Sequence, residues 1–317
     1  MNRIPIRVRS VRKETAEIRS FELESIDGSP LPAVVAGAHV DIHLPSGLTR
    51  QYSLCNGPGT TSVYLLAVKL EAVSRGGSAA MHALATGDML EIGAPRDNFS
   101  LIEGSSHDVL IAGGIGITPL LSMARHLVAT GRSFKLHCFA RSMEHVAFRE
   151  LLGNEPLDRS TSFHLSLDHL QSEKRLRDIL SRPPAGAQCY ICGPAAFISG
   201  AQIAAGISGW PAAAVHVEHF SASTPSAGDG AFDVFLTKTG STVRVEAEES
   251  ILQALGRAGV LVETSCEMGI CGTCLATVLQ GVPDHRDEFL TDGEKAANDR
   301  MCLCVSRSRE PLLVLDL

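Results

Sequence analysis

The chain has 317 residues, 44% of them hydrophobic and 20% charged, which is the composition of a soluble globular protein and long for one domain. Its net charge of −7 argues against a nucleic-acid binder. No apolar run approaches the roughly 20 residues that a membrane span requires, so no membrane association is expected.

The N-terminus, MNRIPIRVRSVRKETAEIRSFELE, alternates apolar and charged residues as a strand pair does, and it lacks the apolar core of a signal peptide. A cytoplasmic location follows as the expectation. Short β-rich runs separated by turn residues continue to residue 103: HVDIHLPSG, QYSLCNGPG, VYLLAVKL and GDMLEIGAP. They predict an antiparallel barrel over 1–103. From 104 to 222 apolar strands alternate with helical patterns. DVLIAGG leads into ITPLLSMARHLVATG, FKLHCFA into MEHVAFRELLG, and QCYICGP into AAFISGAQIAAGI. That alternation predicts a parallel sheet covered by helices on both faces. Residues 223–230 form the small, polar linker expected before FDVFL restarts a strand pattern, and 231–317 make a third segment. Acidity is concentrated there: residues 231–317 hold 8 basic and 14 acidic residues, a net of −6, against 20 and 21 in residues 1–230. Such a face is either a solvated surface or a docking surface for a basic partner.

In the barrel, RQYSL (50–54) ends a strand, and SRGGSAAMHAL (74–84) follows. Gly76, Gly77 and Ser78 before a helix-like run make an anion site from backbone N–H groups. Arg50 supplies a charged fork to the same phosphate. Tyr52 offers an aromatic face and Ser53 a hydroxyl to a flat ring. In the second segment Gly113, Gly114 and Gly116 allow a backbone to pass close to a pyrophosphate, with Thr118-Pro119 starting the helix. YICGP (190–194) ends a later strand at the edge where open α/β folds bind ligands.

Five of the nine cysteines fall in the last 52 residues. Cys266, Cys271 and Cys274 are spaced C-x4-C-x2-C, and Cys304 follows after 29 residues. This is a plant-type [2Fe–2S] spacing, in which each iron takes two thiolates. Cys302 competes with Cys304, since in a strand the two share a face; the gap favours Cys304. A structural zinc site is the alternative, although zinc ribbons favour paired C-x2-C knuckles.

The last segment resembles the plant-type ferredoxin domain, with a β-grasp α+β fold. The barrel motifs resemble the FMN-binding subgroup of the ferredoxin–NADP reductase superfamily, which implies FMN in preference to FAD. The order of RQYS, SRGGS, GGIGITP, ICGP and the cysteine spacing resembles the phthalate dioxygenase reductase family across the whole chain. The resemblance implies an NAD(P)H-dependent reductase with three carriers. A nicotinamide gives two electrons as hydride, a [2Fe–2S] cluster takes one, and FMN mediates. It places Ser53 near the reactive flavin nitrogen. It places Cys192, with Gly193 and Pro194, beside the nicotinamide, and Phe220 near the flavin ring unless it is packing at a domain end. Arg141 falls near the adenosine ribose, where it can meet a 2′-phosphate of NADPH or stack on the adenine of NADH. His82, His216 and His219 are expected to be structural. The implied partner is a Rieske-type terminal oxygenase acting on an aromatic compound, with the reductase a monomer. The alternatives are a reductase for a different acceptor and a non-enzymatic metal-binding or nucleotide-sensing module.

Overall fold

Alternation of apolar and charged residues builds the first sheet in the computed structural model, which describes residues 3–72, 76–220, 229–264, 266–269, 271–287 and 289–317. In β1 (Ile4–Lys13) Ile6 and Val8 are buried while Arg7 and Arg9 face out. β2 (Ile18–Ser25) pairs with it antiparallel. There follow β3 (Leu31–Val34), β4 (His39–His43), β5 (Thr49–Ser53), β6 (Gly59–Thr61), β7 (Val63–Lys69), helix α1 (Gly77–Ala83) and β8 (Met89–Ile92). The main sheet runs β5-β4-β8-β1-β2-β7, antiparallel throughout, and β3 pairs with β6. Phe21, Leu23, Val40, Ile42, Tyr64 and Leu66 fill its core. Burial of each such aliphatic or aromatic side chain contributes about 1.5–3 kcal/mol.

The parallel sheet is built from β9 (Asp108–Gly113), α2 (Ile117–Ala129), β10 (Phe134–Ala140), α3 (Arg149–Leu152), β11 (Thr161–Leu165), α4 (His169–Leu180), β12 (Gln188–Gly193), α5 (Ala195–Ile207) and β13 (Val215–His219). Its order is β11-β10-β9-β12-β13, with every pair parallel. β9 is buried along its whole length, as a central strand covered on both faces must be. On one face Leu110, Leu136 and Tyr190 pack against Leu120 and Met123 of α2. On the other, Ile111 and Ile191 pack with Leu176 of α4 and Ile198 of α5.

One helical expectation is corrected. MEHVAFRELLG yields only the four-residue α3, because Phe148 takes a left-handed φ of 57° and gives its N–H to Glu14 at 3.0 Å. The α2-side core does not stop at residue 104. Ile18, Ala36, Cys55 and Ala67 of the barrel belong to it, so Met1–Phe220 forms one compact unit.

The second unit, Ser221–Leu317, contains β14 (Phe232–Leu236), β15 (Ser241–Val245), α6 (Ile251–Arg257), β16 (Leu275–Gln280), β17 (Pro283–Asp284), α7 (Asp292–Ala297), β18 (Arg300–Cys302), β19 (Arg307–Ser308) and β20 (Leu312–Leu315). The sheet order is β15-β14-β20-β16-β18; β14 and β20 are parallel and the other neighbours antiparallel. Ser250 and Gln253 cap the start of α6 reciprocally. Of the expected linker, residues 223–228 lie outside the described residues. Asp229 and Gly230 are tied to the second unit. Arg286 donates to both carboxylate oxygens of Asp229 at 2.7 Å, and buried Arg307 donates to the Gly230 carbonyl at 3.1 Å.

Candidate redox site

The flavin motif folds as a strand end facing a short helix. Arg50 and Tyr52 lie on β5, and Ser53 ends it. A Cβ on Gly77 would come within 2.7 Å of the Arg50 side chain, so glycine there lets the guanidinium lie against the start of α1. Gly76 has a φ of 91°, which favours glycine. The Ser78 hydroxyl accepts the Glu71 N–H at 3.2 Å, which ties the first turn of α1 to the chain just after β7. Ser74 and Arg75, the start of the SRGGS motif, lie outside the described residues. Tyr52 is packed against the barrel core, and burial pushes its phenol up to about 12. A phosphate-sized anion and a flat ring suit this cradle of Arg50, Gly77 and Tyr52.

The nicotinamide motifs meet each other at the ends of β9 and β12. A Cβ on Gly116 would stand 2.1 Å from the Cys192 carbonyl oxygen, and one on Gly113 would stand 2.8 Å from the Phe197 ring. Gly193 faces Gly113 across the same gap, where its Cβ would stand 3.0 Å from the Gly113 Cα. These three glycines are needed for strand–helix packing as much as for a ligand. Gly114, with a φ of 56° and open space at its Cβ position, is the one facing outward. Pro194 precedes α5 at its N-cap. The Thr118 hydroxyl is spent on the Ile115 carbonyl at 3.1 Å.

Ser53 and Cys192, 139 positions apart in the chain, converge on Glu218 of β13. The Ser53 hydroxyl donates to Glu218 Oε2 at 3.4 Å, and Cys192 is the register partner of Glu218 between β12 and β13. Burial raises the Glu218 carboxyl to about 8, in spite of the lowering by Ser53. Cys192 is fully buried, and burial and then the Glu218 charge push its thiol well above its ordinary value. Sequence reading missed Glu218; the one signal was its place in VHVEHF, a charged residue in the last strand of the parallel sheet. Phe220 packs against the core that holds Cys55 and Cys192. Arg141, just past β10, donates to both carboxylate oxygens of Glu17, at 3.0 and 3.1 Å. Two tempting histidines are tied structurally: His82 contacts the Val68 carbonyl at 2.9 Å, and His216 contacts Gln188 at 2.7 Å and stacks on Tyr190.

In the second unit the cysteines stand in two contacting sets. Cys266 and Cys271 hydrogen-bond to each other, and Cys274 is bonded by both Cys302 and Cys304. Those bonds draw the Cys271 and Cys274 thiols well below the ordinary range and raise Cys302 and Cys304 above it. Among the described residues, no three His, Cys, Asp or Glu side chains gather as a site for a single metal ion. A diiron cluster takes two sulfurs on each iron: Cys266 and Cys271 make one such pair, and Cys274 with one of Cys302 and Cys304 makes the other. The loop fits this use. Met268 gives its N–H to Cys266 Sγ at 3.3 Å, and Gly269 and Gly272 have φ of 77° and 70°. A Cβ on Gly272 would press into the Phe289 ring at 2.3 Å. Ser265 and Ile270 of this loop lie outside the described residues. The shared-face argument for Cys302 and Cys304 does not apply, because β18 ends at Cys302 and residues 303–305 turn.

Residues 234–309 match the family model for a 2Fe-2S iron-sulfur cluster binding domain. Vanillate O-demethylase oxidoreductase of Pseudomonas sp. strain HR199 is 43% identical over 99% of this chain and 100% of its own length. Phthalate dioxygenase reductase of Burkholderia cepacia is 37% identical over 98% and 97%. A solved phthalate dioxygenase reductase, described as a modular structure for electron transfer from pyridine nucleotides to [2Fe-2S], superposes with a TM-score of 0.79 at 36% identity, covering 100% of this chain and 98% of that one. Agreement of this extent, over a fold and motifs that occur together along the full chain, establishes that the protein belongs to the phthalate dioxygenase reductase family of flavin- and iron–sulfur-containing oxidoreductases.

Proposed function

We propose that the chain is the reductase component of a Rieske-type aromatic oxygenase or O-demethylase system, taking hydride from NAD(P)H and delivering single electrons to the oxygenase. The observation that carries this reading is the meeting of Ser53, Glu218 and Cys192 between the barrel and the parallel sheet, in a chain whose residues 234–309 match a 2Fe-2S cluster binding domain. Bound FMN accepts two electrons as hydride and releases them one at a time, which is the chemistry that links a nicotinamide to a one-electron cluster.

Arg50, Gly76, Gly77 and Ser78 hold the FMN phosphate, and Tyr52 and Ser53 face the ring. Gly113, Gly114, Gly116 and Thr118 receive the dinucleotide pyrophosphate, and Arg141 its adenosine end. Cys192, Gly193 and Pro194 line the nicotinamide position, and Phe220 shields the ring. Cys266, Cys271, Cys274 and Cys304 hold the cluster. Glu218 keeps its proton at neutral pH, since burial raises its carboxyl to about 8, and it orients the Ser53 hydroxyl. Cys192 stays a neutral thiol and forms an apolar wall that keeps water from the reacting carbon. The segments 1–103, 104–222 and 231–317 carry the flavin, nicotinamide and cluster functions. The protein works as a cytoplasmic monomer. No helix among the described residues is long and apolar enough to cross a membrane.

Cys304→Ser tests this assignment. The variant is expected to keep NADH-dependent flavin bleaching and to lose reduction of the oxygenase, while Cys302→Ser keeps both. Undiminished oxygenase reduction by Cys304→Ser would contradict the cluster route.

A further inference from the structure

We propose that Glu17, in the turn between β1 and β2, sets the choice of nicotinamide cofactor: it occupies Arg141 and places a carboxylate where a 2′-phosphate would bind, so the site selects NADH over NADPH. The inference rests on the nucleotide site described above. β10 lies beside β9 with Phe139 opposite Gly113, so Arg141 emerges two residues past the level of the glycine turn. A small recess at these two strand ends is lined by Ala112, Gly114, Ile117, Cys138, Phe139 and Ala140, the residue before Arg141. In an open α/β sheet the nucleotide lies along this edge, and its ribose is read by an acidic residue or by an arginine.

Arg141 is not a free arginine. Both its bonds to Glu17 are made by Nη2, at 3.0 and 3.1 Å. The turn is held there by its neighbours. The Thr15 hydroxyl accepts the N–H groups of Glu17 and Ile18, at 3.2 and 3.0 Å. Glu14 accepts the Phe148 N–H at 3.0 Å, and Arg12 donates to Glu150 at 2.6 Å. Three residues of the barrel thus grip the segment 141–150. The Arg141–Glu17 pair itself adds little to stability, since the side chains are 68% and 43% exposed. Arg141 holds Glu17 below the usual carboxylate range, so it is charged at neutral pH.

A 2′-phosphate carries nearly two negative charges and calls for an unshared guanidinium fork. Here the fork is shared and a like charge stands beside it. A 2′-hydroxyl, by contrast, is a donor that a carboxylate accepts.

The test uses the full-length holoprotein and two readouts: kcat/KM for flavin reduction by NADH and by NADPH, and calorimetric affinity for 2′,5′-ADP against 5′-ADP. Glu17→Gln is expected to raise the NADPH-to-NADH ratio about tenfold, or ~1.4 kcal/mol, and to raise the relative affinity for 2′,5′-ADP by a similar factor. Glu17→Asp, which keeps the charge, should stay near wild type, and adding Arg141→Ala to Glu17→Gln should cancel the gain. An unchanged ratio in Glu17→Gln, with wild type reduced normally, overturns this assignment alone. Failure of wild type to be reduced by either nucleotide overturns the functional reading and this inference with it.

Discussion

At Glu218, burial outweighs the hydrogen bond that the carboxyl accepts, and the group rises from 4.5 to about 8. The sign of the pH effect follows. Between these values the folded protein holds a proton that the unfolded chain has released, so stability falls as pH rises through that window. A tenfold difference in proton affinity between the two states corresponds to about 1.4 kcal/mol. Glu218→Gln should remove this slope and gain stability relative to wild type from pH ~5 to pH ~8, by up to a few kcal/mol, as read by urea denaturation at several pH values. Parallel pH–stability curves for the two proteins would contradict the assignment. Ser53→Ala deletes the one bond that lowers the carboxyl, so the midpoint should move further up. Beyond its place in the apolar-alternating VHVEHF, the sequence does not set Glu218 apart from the other acidic residues, because its character comes from packing between β13, β12 and the end of β5. The Arg141–Glu17 pair is hidden for the same reason, its partners lying 124 positions apart.

Among the elements, the turn between β9 and α2 meets the end of β12 with no space to spare. Gly116→Ala would drive a methyl group into the Cys192 backbone, which cannot yield as a flexible side chain would. The expected result is a loss of about 2–4 kcal/mol or failure to fold, with nucleotide-dependent flavin reduction falling at the same time. Thermal melting checks the first and steady-state kinetics the second. Gly114→Ala meets open space and carries only the cost of its left-handed φ, so it should be the milder change. The glycine pattern made a strand–turn–helix legible in the sequence, because turn chemistry is local. It did not reveal which glycine faces another strand and which faces solvent. The length of α3 was not legible, because its helical pattern is cut short by a bond to the distant Glu14. The 2Fe-2S domain was legible because the cysteine spacing alone encodes the chemistry. The turn that carries Cys304 was not, since it depends on where β18 ends.

For the whole molecule, the uneven charge makes a kinetic prediction. The segment 231–317 carries −6 of the total of −7. A transient contact with a basic oxygenase surface should weaken with ionic strength, as charges beyond about 10 Å are screened at 0.1 M salt. Raising salt should therefore slow reduction of the oxygenase while NADH-to-flavin transfer within the chain holds nearly constant. Equal slowing of both steps would remove the acidic segment as the docking face. The order of the three segments was legible from strand and helix periods and the cysteine spacing. The joining of the first two into one unit was not, since it arises from a core shared by Ile18, Cys55 and Ala67 with α2.

An anaerobic titration of the purified protein with NADH, followed across the visible spectrum, tests the central claim most directly. Flavin and iron–sulfur absorption should bleach together, with an uptake of about three electrons per chain, two on the flavin and one on the cluster. A colourless protein that takes up zinc but not iron and flavin, and shows no bleaching with NADH, would contradict it.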